Sequence, residues 1–186
     1  MKKRYLGIDE SNHGRYPEVF VGVCSSFDSD ITPTRLSKHR VESSIEKIIG
    51  QREWAYCLVP AIARKFLDAH SIRIMAFVEL VTYFKNNNKH DSLDLILIDG
   101  DATAFELRKT LELSKVKGET NIRAGKDGDR IYNLVNMADY VAWHLFHIYS
   151  RKRHSEKLSL YESDNMTRLI NEDIIKQYAQ CINFTP

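Results

Sequence analysis

The stretch "LDLILIDGD", residues 93–101, has the strongest strand pattern in this chain of 186 residues. Its apolar run is almost continuous, which is typical of a central strand covered by helices on both faces of a sheet. The run ends at Asp99, and a second acid, Asp101, follows two residues later. The next segment, "ATAFELRKTLEL", has the spacing of a helix. The stretch therefore predicts an α/β domain with acidic side chains at the end of an inner strand.

The segments on either side have weaker patterns that agree with this prediction. Strand patterns rich in β-branched and aromatic residues occupy 4–9, 18–26, 53–60 and a short piece at 120–124. Helical spacing occurs near 41–49, over 61–86 as two helices meeting near Ser71, at 131–150 and near 163–180. We find no linker or repeat between them. The order of these segments predicts one α/β domain over residues 1–186, with a mixed sheet flanked by helices.

Composition excludes several classes of protein. Hydrophobic residues make up 43% and charged residues 28% of the chain, as in soluble globular proteins. No apolar run reaches the roughly 18 residues that cross a bilayer, and the basic N-terminus lacks the long apolar run of a signal peptide. The net charge of +2 does not by itself indicate a nucleic-acid-binding protein. Cys24, Cys57 and Cys181 lie far apart among apolar neighbours, so we expect buried thiols and a cytoplasmic protein.

The first strand also ends in acids, Asp9 and Glu10. If this strand is a parallel neighbour of the strand at 93–99, Asp9 and Asp99 face each other across about 5 Å. Two carboxylates that close repel each other unless a cation joins them or one is protonated. Mg²⁺ and Mn²⁺ prefer oxygen ligands of this kind. Acids also end strands simply because loops are polar, so this pattern leaves both interpretations open.

A third acid lies on the helix predicted at 131–150. At about 100° per residue, one apolar arc of this helix contains Ile131, Leu134, Val135, Ala138, Val141, Ala142, Leu145, Phe146 and Tyr149. Asp139 lies just outside the edge of that arc, where the helix meets the sheet. It is either a border residue that pairs with a nearby Arg or Lys, or a third metal ligand.

Three of these segments resemble a known family. "GIDESNHG" resembles the G-x-D-E-x-G-R-G opening of type 2 ribonucleases H, matching at Gly7, Asp9, Glu10 and Gly14. "LILIDGD" is similar to the central strand of that family, whose Asp-Gly is here Asp99-Gly100. "NMADYVAW" is similar to the late Ala-Asp motif of a related branch whose members start with D-E-S. The resemblance implies a ribonuclease H-like fold.

The resemblance also implies two-metal hydrolysis of phosphodiester bonds. Asp9 would bridge two Mg²⁺ or Mn²⁺ ions, with Glu10, Asp99 and Asp139 completing their ligand shells. In type 2 enzymes the fourth acid precedes the helix, which corresponds to Asp127 or Asp129, whereas in the wider fold it lies on the late helix. We prefer Asp139, and predict that the carboxylates of Asp9, Asp99 and Asp139 converge within about 8 Å.

The expected substrate is nucleic acid, as RNA, DNA or a hybrid. The family's Gly-Arg-Gly, whose backbone contacts the RNA strand, is here Asn12-His13-Gly14. Because Asn12 and His13 are bulkier than glycine, we predict no strict preference for a single ribonucleotide in duplex DNA. His13 is a proton shuttle or an ordinary loop histidine. Arg123, Lys126 and Arg130 either neutralise substrate phosphate or form a solvated surface.

Two other functions remain open at this point. "LILIDGDATAF" fits the signature of haloacid-dehalogenase-type phosphatases, with Asp99 as nucleophile and Asp101 as acid and base. That signature normally opens its domain, and this interpretation leaves Asp9 and Glu10 unexplained. The other function is a ribonuclease H-like scaffold that binds nucleic acid or protein without cutting, since loss of one metal ligand is enough to abolish hydrolysis.

Overall fold

The computed structural model of the protein describes residues 3–11, 18–33, 44–87, 93–99, 121–125, 127–150 and 167–169, together with Lys176. Its strands are β1 Tyr5–Ser11, β2 Glu18–Ser25, β3 Glu53–Val59, β4 Leu95–Asp99, β5 Asn121–Gly125 and β6 Thr167–Leu169. Its helices are α1 Ile45–Ile49, α2 Ala69–Asn87, α3 Gly128–Ile131 and α4 Asn133–Ser150. Short 3₁₀ turns occupy Asp28–Ile31 and Ala61–Lys65.

The described strands form one mixed sheet in the order β5-β4-β1-β2-β3-β6. The strands β1, β2 and β3 are antiparallel neighbours. Beside them, β4 pairs in parallel with β1, β5 with β4, and β6 with β3. The prediction that β1 and the strand ending at Asp99 are parallel neighbours is confirmed, because Tyr5 pairs with Leu95 and Ile8 with Ile98.

Helices cover both faces of the sheet. Ile8 and Ile98 belong to the core on the side of α2, whereas Val21 and Leu97 belong to the core on the side of α4. Successive residues of a strand point to opposite faces, so an inner strand must be apolar at every position. This explains the continuous apolar run of β4. The predicted apolar arc packs against the sheet as expected apart from Ile131, which is exposed at the end of α3.

The helix α4 lies directly on β1 at Gly7. The Cβ of an alanine at this position would lie 2.6 Å from the carbonyl carbon and the Cβ of Leu134. Real Cβ atoms do not approach a backbone so closely, so only glycine permits this contact. Gly7 therefore sets the distance between β1 and α4.

Three predictions about the elements need comment. The helix predicted near 163–180 is wrong at Thr167–Leu169, which pairs as β6 along the edge of β3 because backbone pairing there outweighs the local helical spacing. The break in 61–86 lies before Ser71, since the Asp68 side chain accepts a hydrogen bond from the Ser71 amide and α2 begins at Ala69. The helix predicted after Asp101 lies outside the described residues.

Two findings concern the thiols and the membrane. Cys24 and Cys57 are buried thiols, as predicted, and Cys181 lies outside the described residues. Among the described helices, none is both long enough and apolar enough to cross a membrane.

Candidate metal centre

Asp9 and Asp99 lie side by side at one end of the sheet. Ile8 pairs with Ile98 across the parallel strands β1 and β4, and each acid is the next residue along. Because Ile8 and Ile98 point toward α2, Asp9 and Asp99 point toward α4. Neighbouring strands are about 4.8 Å apart. The sheet therefore brings two carboxylates together on the face that α4 covers.

Asp139 of α4 is buried and acts on Asp9 electrostatically. The pKa of Asp9 is raised well above its usual range by burial first, and then by the negative charges of Glu10, Asp139 and Asp99. The backbone amide of Glu10 donates a hydrogen bond of 2.8 Å to Asp9 Oδ1, which opposes the rise. Asp139 is 8% exposed. Three acids thus act on Asp9.

The first residue of α3 supplies a backbone amide to this cluster. The amide of Gly128 donates a hydrogen bond of 2.6 Å to Asp99 Oδ1. A Cβ at Gly128 would lie 3.0 Å from the carbonyl oxygen of Ile98, so glycine allows this close approach. Of the neighbouring acids, Asp127 is exposed and Asp129 is half-buried. The sequence analysis considered these two acids and missed Gly128, although a glycine between two acids in "KDGDR" is a recognisable signal.

Glu10 is bound by an arginine that the sequence analysis also missed. Arg73 of α2 donates from Nε to Glu10 Oε2 at 3.0 Å and from Nη2 to Oε1. The Glu10 side chain is 4% exposed and that of Arg73 is 26% exposed. A single cation in the otherwise apolar segment "IRIMAF", residues 72–77, is the signal that could have indicated this ion pair.

The residue types at this site fit a divalent cation, although the side chains do not enclose one. Ser11 lies on the same face of β1 as Asp9, and its buried Oγ has no hydrogen-bond partner among the described residues. Oδ2 of Asp139 is buried and accepts no hydrogen bond there, although this residue interacts elsewhere. Such oxygens are the ligands that Mg²⁺ and Mn²⁺ prefer. Within the described ranges, no three His, Cys, Asp or Glu side chains are arranged to hold a metal ion.

Several predicted site residues stay predictions. Asn12, His13 and Lys126 lie outside the described residues, as do Gly14, Gly100 and Asp101. Arg123 and Arg130 are exposed. The convergence of Asp9, Asp99 and Asp139 within about 8 Å also stays a prediction.

Comparison with known proteins identifies the type of fold. No protein-family model matches the chain, and no curated protein does. Among solved structures, the chain is similar to the RNase HII of Archaeoglobus fulgidus in complex with PCNA, at 20% identity and a TM-score of 0.57 over 98% of this chain and 91% of that one. It is similar to the ribonuclease H2 of Pyrococcus horikoshii OT3, at 17% identity and a TM-score of 0.54 over 98% and 90%. It is also similar to Bst-RNase HIII in complex with Mn²⁺, at 14% identity and a TM-score of 0.62 over 86% and 55%.

These similarities define the class of fold. The protein has a ribonuclease H-like fold that resembles type 2 ribonuclease H, as the sequence predicted. The phosphatase interpretation gains nothing from this fold. Its signature would open the domain, whereas the strand ending at Asp99 is the fourth along the chain and follows the three antiparallel strands β1, β2 and β3.

Proposed function

We propose that the protein is a divalent-metal-dependent nuclease that hydrolyses phosphodiester bonds of nucleic acid. The observation that supports this most strongly is buried Asp9, whose pKa is raised by burial and by three neighbouring acids. Acids gathered in a buried position disfavour their own ionised forms unless a cation neutralises them, and strongly perturbed carboxyl groups are typical of functional sites. The ribonuclease H-like fold supports the same function.

In this proposal Asp9, Asp99 and Asp139 hold Mg²⁺ or Mn²⁺, and Glu10 is a further ligand once it separates from Arg73. Paired cations held by these residues would supply activation of a water molecule and stabilisation of the leaving oxygen in an in-line displacement. The chain's own residues orient the ligands: the Gly128 amide restrains Asp99, and the packing of α4 on β1 keeps Asp139 near Asp9. The Mn²⁺ bound by Bst-RNase HIII supports the choice of cation.

The proposed substrate site extends from the acids to neighbouring polar and basic residues. Asn12 and His13 follow β1 directly in the sequence, and Lys126 and Arg130 each lie two positions from Gly128. Cationic side chains there would neutralise substrate phosphates and make binding depend on salt. We further propose that residues 1–186 form a single domain that acts on RNA, DNA or a hybrid in the cytoplasm.

The test is cleavage of labelled nucleic acids in the presence of Mg²⁺ or Mn²⁺. We expect Asp99→Asn and Asp139→Asn to abolish cutting, because each removes a charged metal ligand. Asp127→Asn and Asp129→Asn are the matched controls, since these acids lie in the same region of the chain, and both should cut like the wild type. Cutting that survives Asp99→Asn, or that continues in excess chelator, would contradict the proposal. Loss of cutting with Asp129→Asn but not with Asp139→Asn would show that Asp129, and not Asp139, is the fourth metal ligand.

A second candidate function is a scaffold that binds nucleic acid or protein without cutting it. The Arg73–Glu10 ion pair favours it, because one of the four acids is already neutralised by a cation of the chain. Titration calorimetry with Mn²⁺ separates the two functions when it is combined with the cleavage assay. Mn²⁺ binding that needs Asp9, without cutting of any substrate, would support the scaffold.

A further inference from the structure

Asp9 and Glu10 are adjacent in β1 but their side chains lie on opposite faces of the sheet. Across the antiparallel pair, Asp9 faces Val21 and Glu10 faces Phe20. Val21 belongs to the core beneath α4, and Phe20 belongs to the core beneath α2. Glu10 is thus directed away from the face that carries Asp9, Asp99 and Asp139.

Arg73 keeps Glu10 in that position by binding both of its carboxylate oxygens. A bidentate guanidinium–carboxylate pair is directional as well as strong. Arg73 is itself restrained, because its Cζ lies 5.9 Å from the centre of the Phe77 ring. Phe77 in turn packs edge-on against Phe20 at 5.8 Å between ring centres. The ion pair is therefore part of the packed core on the α2 side.

A carboxylate with both oxygens bound to Arg73 cannot ligate a cation on the other face at the same time. We infer that Arg73 is a positioning residue that competes with the metal for Glu10. The resting site then has three acids. Glu10 lies one residue beyond the level at which β4 ends, so its side chain is not separated from the Asp9 face by that strand, and it becomes a ligand only after it leaves Arg73. This inference rests on the proposed function, and it assigns to Arg73 control over how tightly the site binds its cation.

The test is Mn²⁺ titration calorimetry on the full chain. In Arg73→Met, Glu10 is released, and we expect Mn²⁺ to bind about tenfold more tightly, within the usual range of coupling between two sites. Glu10→Gln alone should leave Mn²⁺ affinity close to that of the wild type. The double variant Arg73→Met/Glu10→Gln should lose the gain, which a double-mutant cycle measures directly.

Two further variants keep the test decisive. Arg73→Met leaves a buried carboxylate without its cation and can impair folding. Arg73→Lys is therefore measured as well. Because lysine retains the charge but not the planar fork, it should give a smaller gain in Mn²⁺ affinity. Asp9→Asn tests the proposed function separately, since its failure to weaken Mn²⁺ binding would remove that function. If Glu10→Gln in the wild-type background weakens Mn²⁺ binding as much as Asp9→Asn does, Glu10 is already a ligand and the inference is wrong. An equal gain in Arg73→Met and in the double variant would overturn it as well.

Discussion

Asp9 is a carboxyl group whose surroundings favour its protonated form. Burial raises its pKa, and the charges of Glu10, Asp139 and Asp99 raise it further. Between the ordinary value of 3.8 and the raised value, the folded state binds more protons than the unfolded state. The stability of the metal-free protein therefore falls as the pH rises through this interval. The same charges that destabilise the metal-free protein attract a cation.

This leads to a prediction for Asp9→Asn, which keeps the shape of the side chain and removes the charge. In chelator at pH 7 we expect the variant to be more stable than the wild type, because Asn carries no charge for burial and the neighbouring acids to disfavour. The difference should shrink as the pH falls and be smallest below the ordinary value of 3.8, where Asp9 is protonated in both states. Urea unfolding across this pH range measures the free energies.

The exposed acid Asp127 provides the control for Asp9. Asp127→Asn removes the same charge from a solvated position, so it should leave the free energy of unfolding almost unchanged.

Added Mn²⁺ should reverse the order of stability, so that the wild type becomes more stable than Asp9→Asn, because a ligand that binds only the folded wild type stabilises it. A wild type that gains stability over Asp9→Asn as the pH rises without metal would contradict this account of Asp9.

At the scale of the elements, the contact between β1 and α4 positions the acids. Leu134 lies against Gly7, and Asp139 follows Leu134 by five residues, a rise of about 7.5 Å along the helix. Asp9 follows Gly7 by two residues, about 7 Å along the strand. The two acids are thus carried by the same pair of elements that the glycine brings together.

Gly7→Ala tests this contact. The added Cβ would lie 2.6 Å from backbone and side-chain atoms of Leu134, so α4 must move away from β1. We expect a loss of about 3 kcal/mol in the free energy of unfolding, the upper part of the usual range for overpacking. Because α4 carries Asp139, Mn²⁺ affinity should fall as well. Urea unfolding and calorimetry measure the two effects.

Gly125→Ala is the matched control in β5. A Cβ there would lie 3.5 Å from Ile131 Cδ1, an ordinary contact, so the change should stay within about 0.5 kcal/mol. Equal stability losses for the two alanine variants would show that the close approach at Gly7 is not what limits the packing of α4.

At the scale of the whole molecule, charge and sequence bear on the substrate. The net charge is only +2, so the proposed binding of substrate phosphates would depend on local groups such as exposed Arg123 and Arg130. Recognition of a single ribonucleotide in DNA needs backbone amides close to the 2′-hydroxyl, which small residues permit. Asn12 and His13 occupy the positions where the type 2 enzymes have glycine and arginine.

We therefore predict metal-dependent cutting without strict preference for embedded ribonucleotides. A panel of RNA–DNA hybrids, duplexes with one ribonucleotide, single strands and branched DNA measures the preference, with Asp99→Asn in parallel as the inactive control. The variant Asn12→Gly/His13→Arg restores the family pattern and should shift cutting toward the embedded ribonucleotide. Selective cutting of that substrate by the wild type would show that Asn12 and His13 are tolerated in this role.

The features that the sequence predicted correctly are those encoded by neighbouring residues. The continuous apolar run before Asp99 indicated a strand covered on both faces, and the spacing around Asp139 indicated the helix α4. Strand periodicity and helix periodicity are local, so they can be recognised without knowing the fold. The order of these elements predicted one mixed α/β sheet, and the resemblance of "GIDESNHG", "LILIDGD" and "NMADYVAW" to ribonuclease H motifs implied a ribonuclease H-like fold. The strand β1 continues two residues beyond its predicted end at Asp9, to Ser11.

Only the tertiary structure decided which groups each acid contacts. Glu10 and Arg73 are 63 positions apart in the chain, and Asp99 and the Gly128 amide are 29 apart. No local periodicity encodes such a pair, because it exists only after α2 and α3 have packed against the sheet. The same holds for β6, whose helical spacing was overridden by the free edge of β3. The sequence by itself determined where the acids lie along the chain, and packing determined that Asp9 faces α4 while Glu10 faces α2.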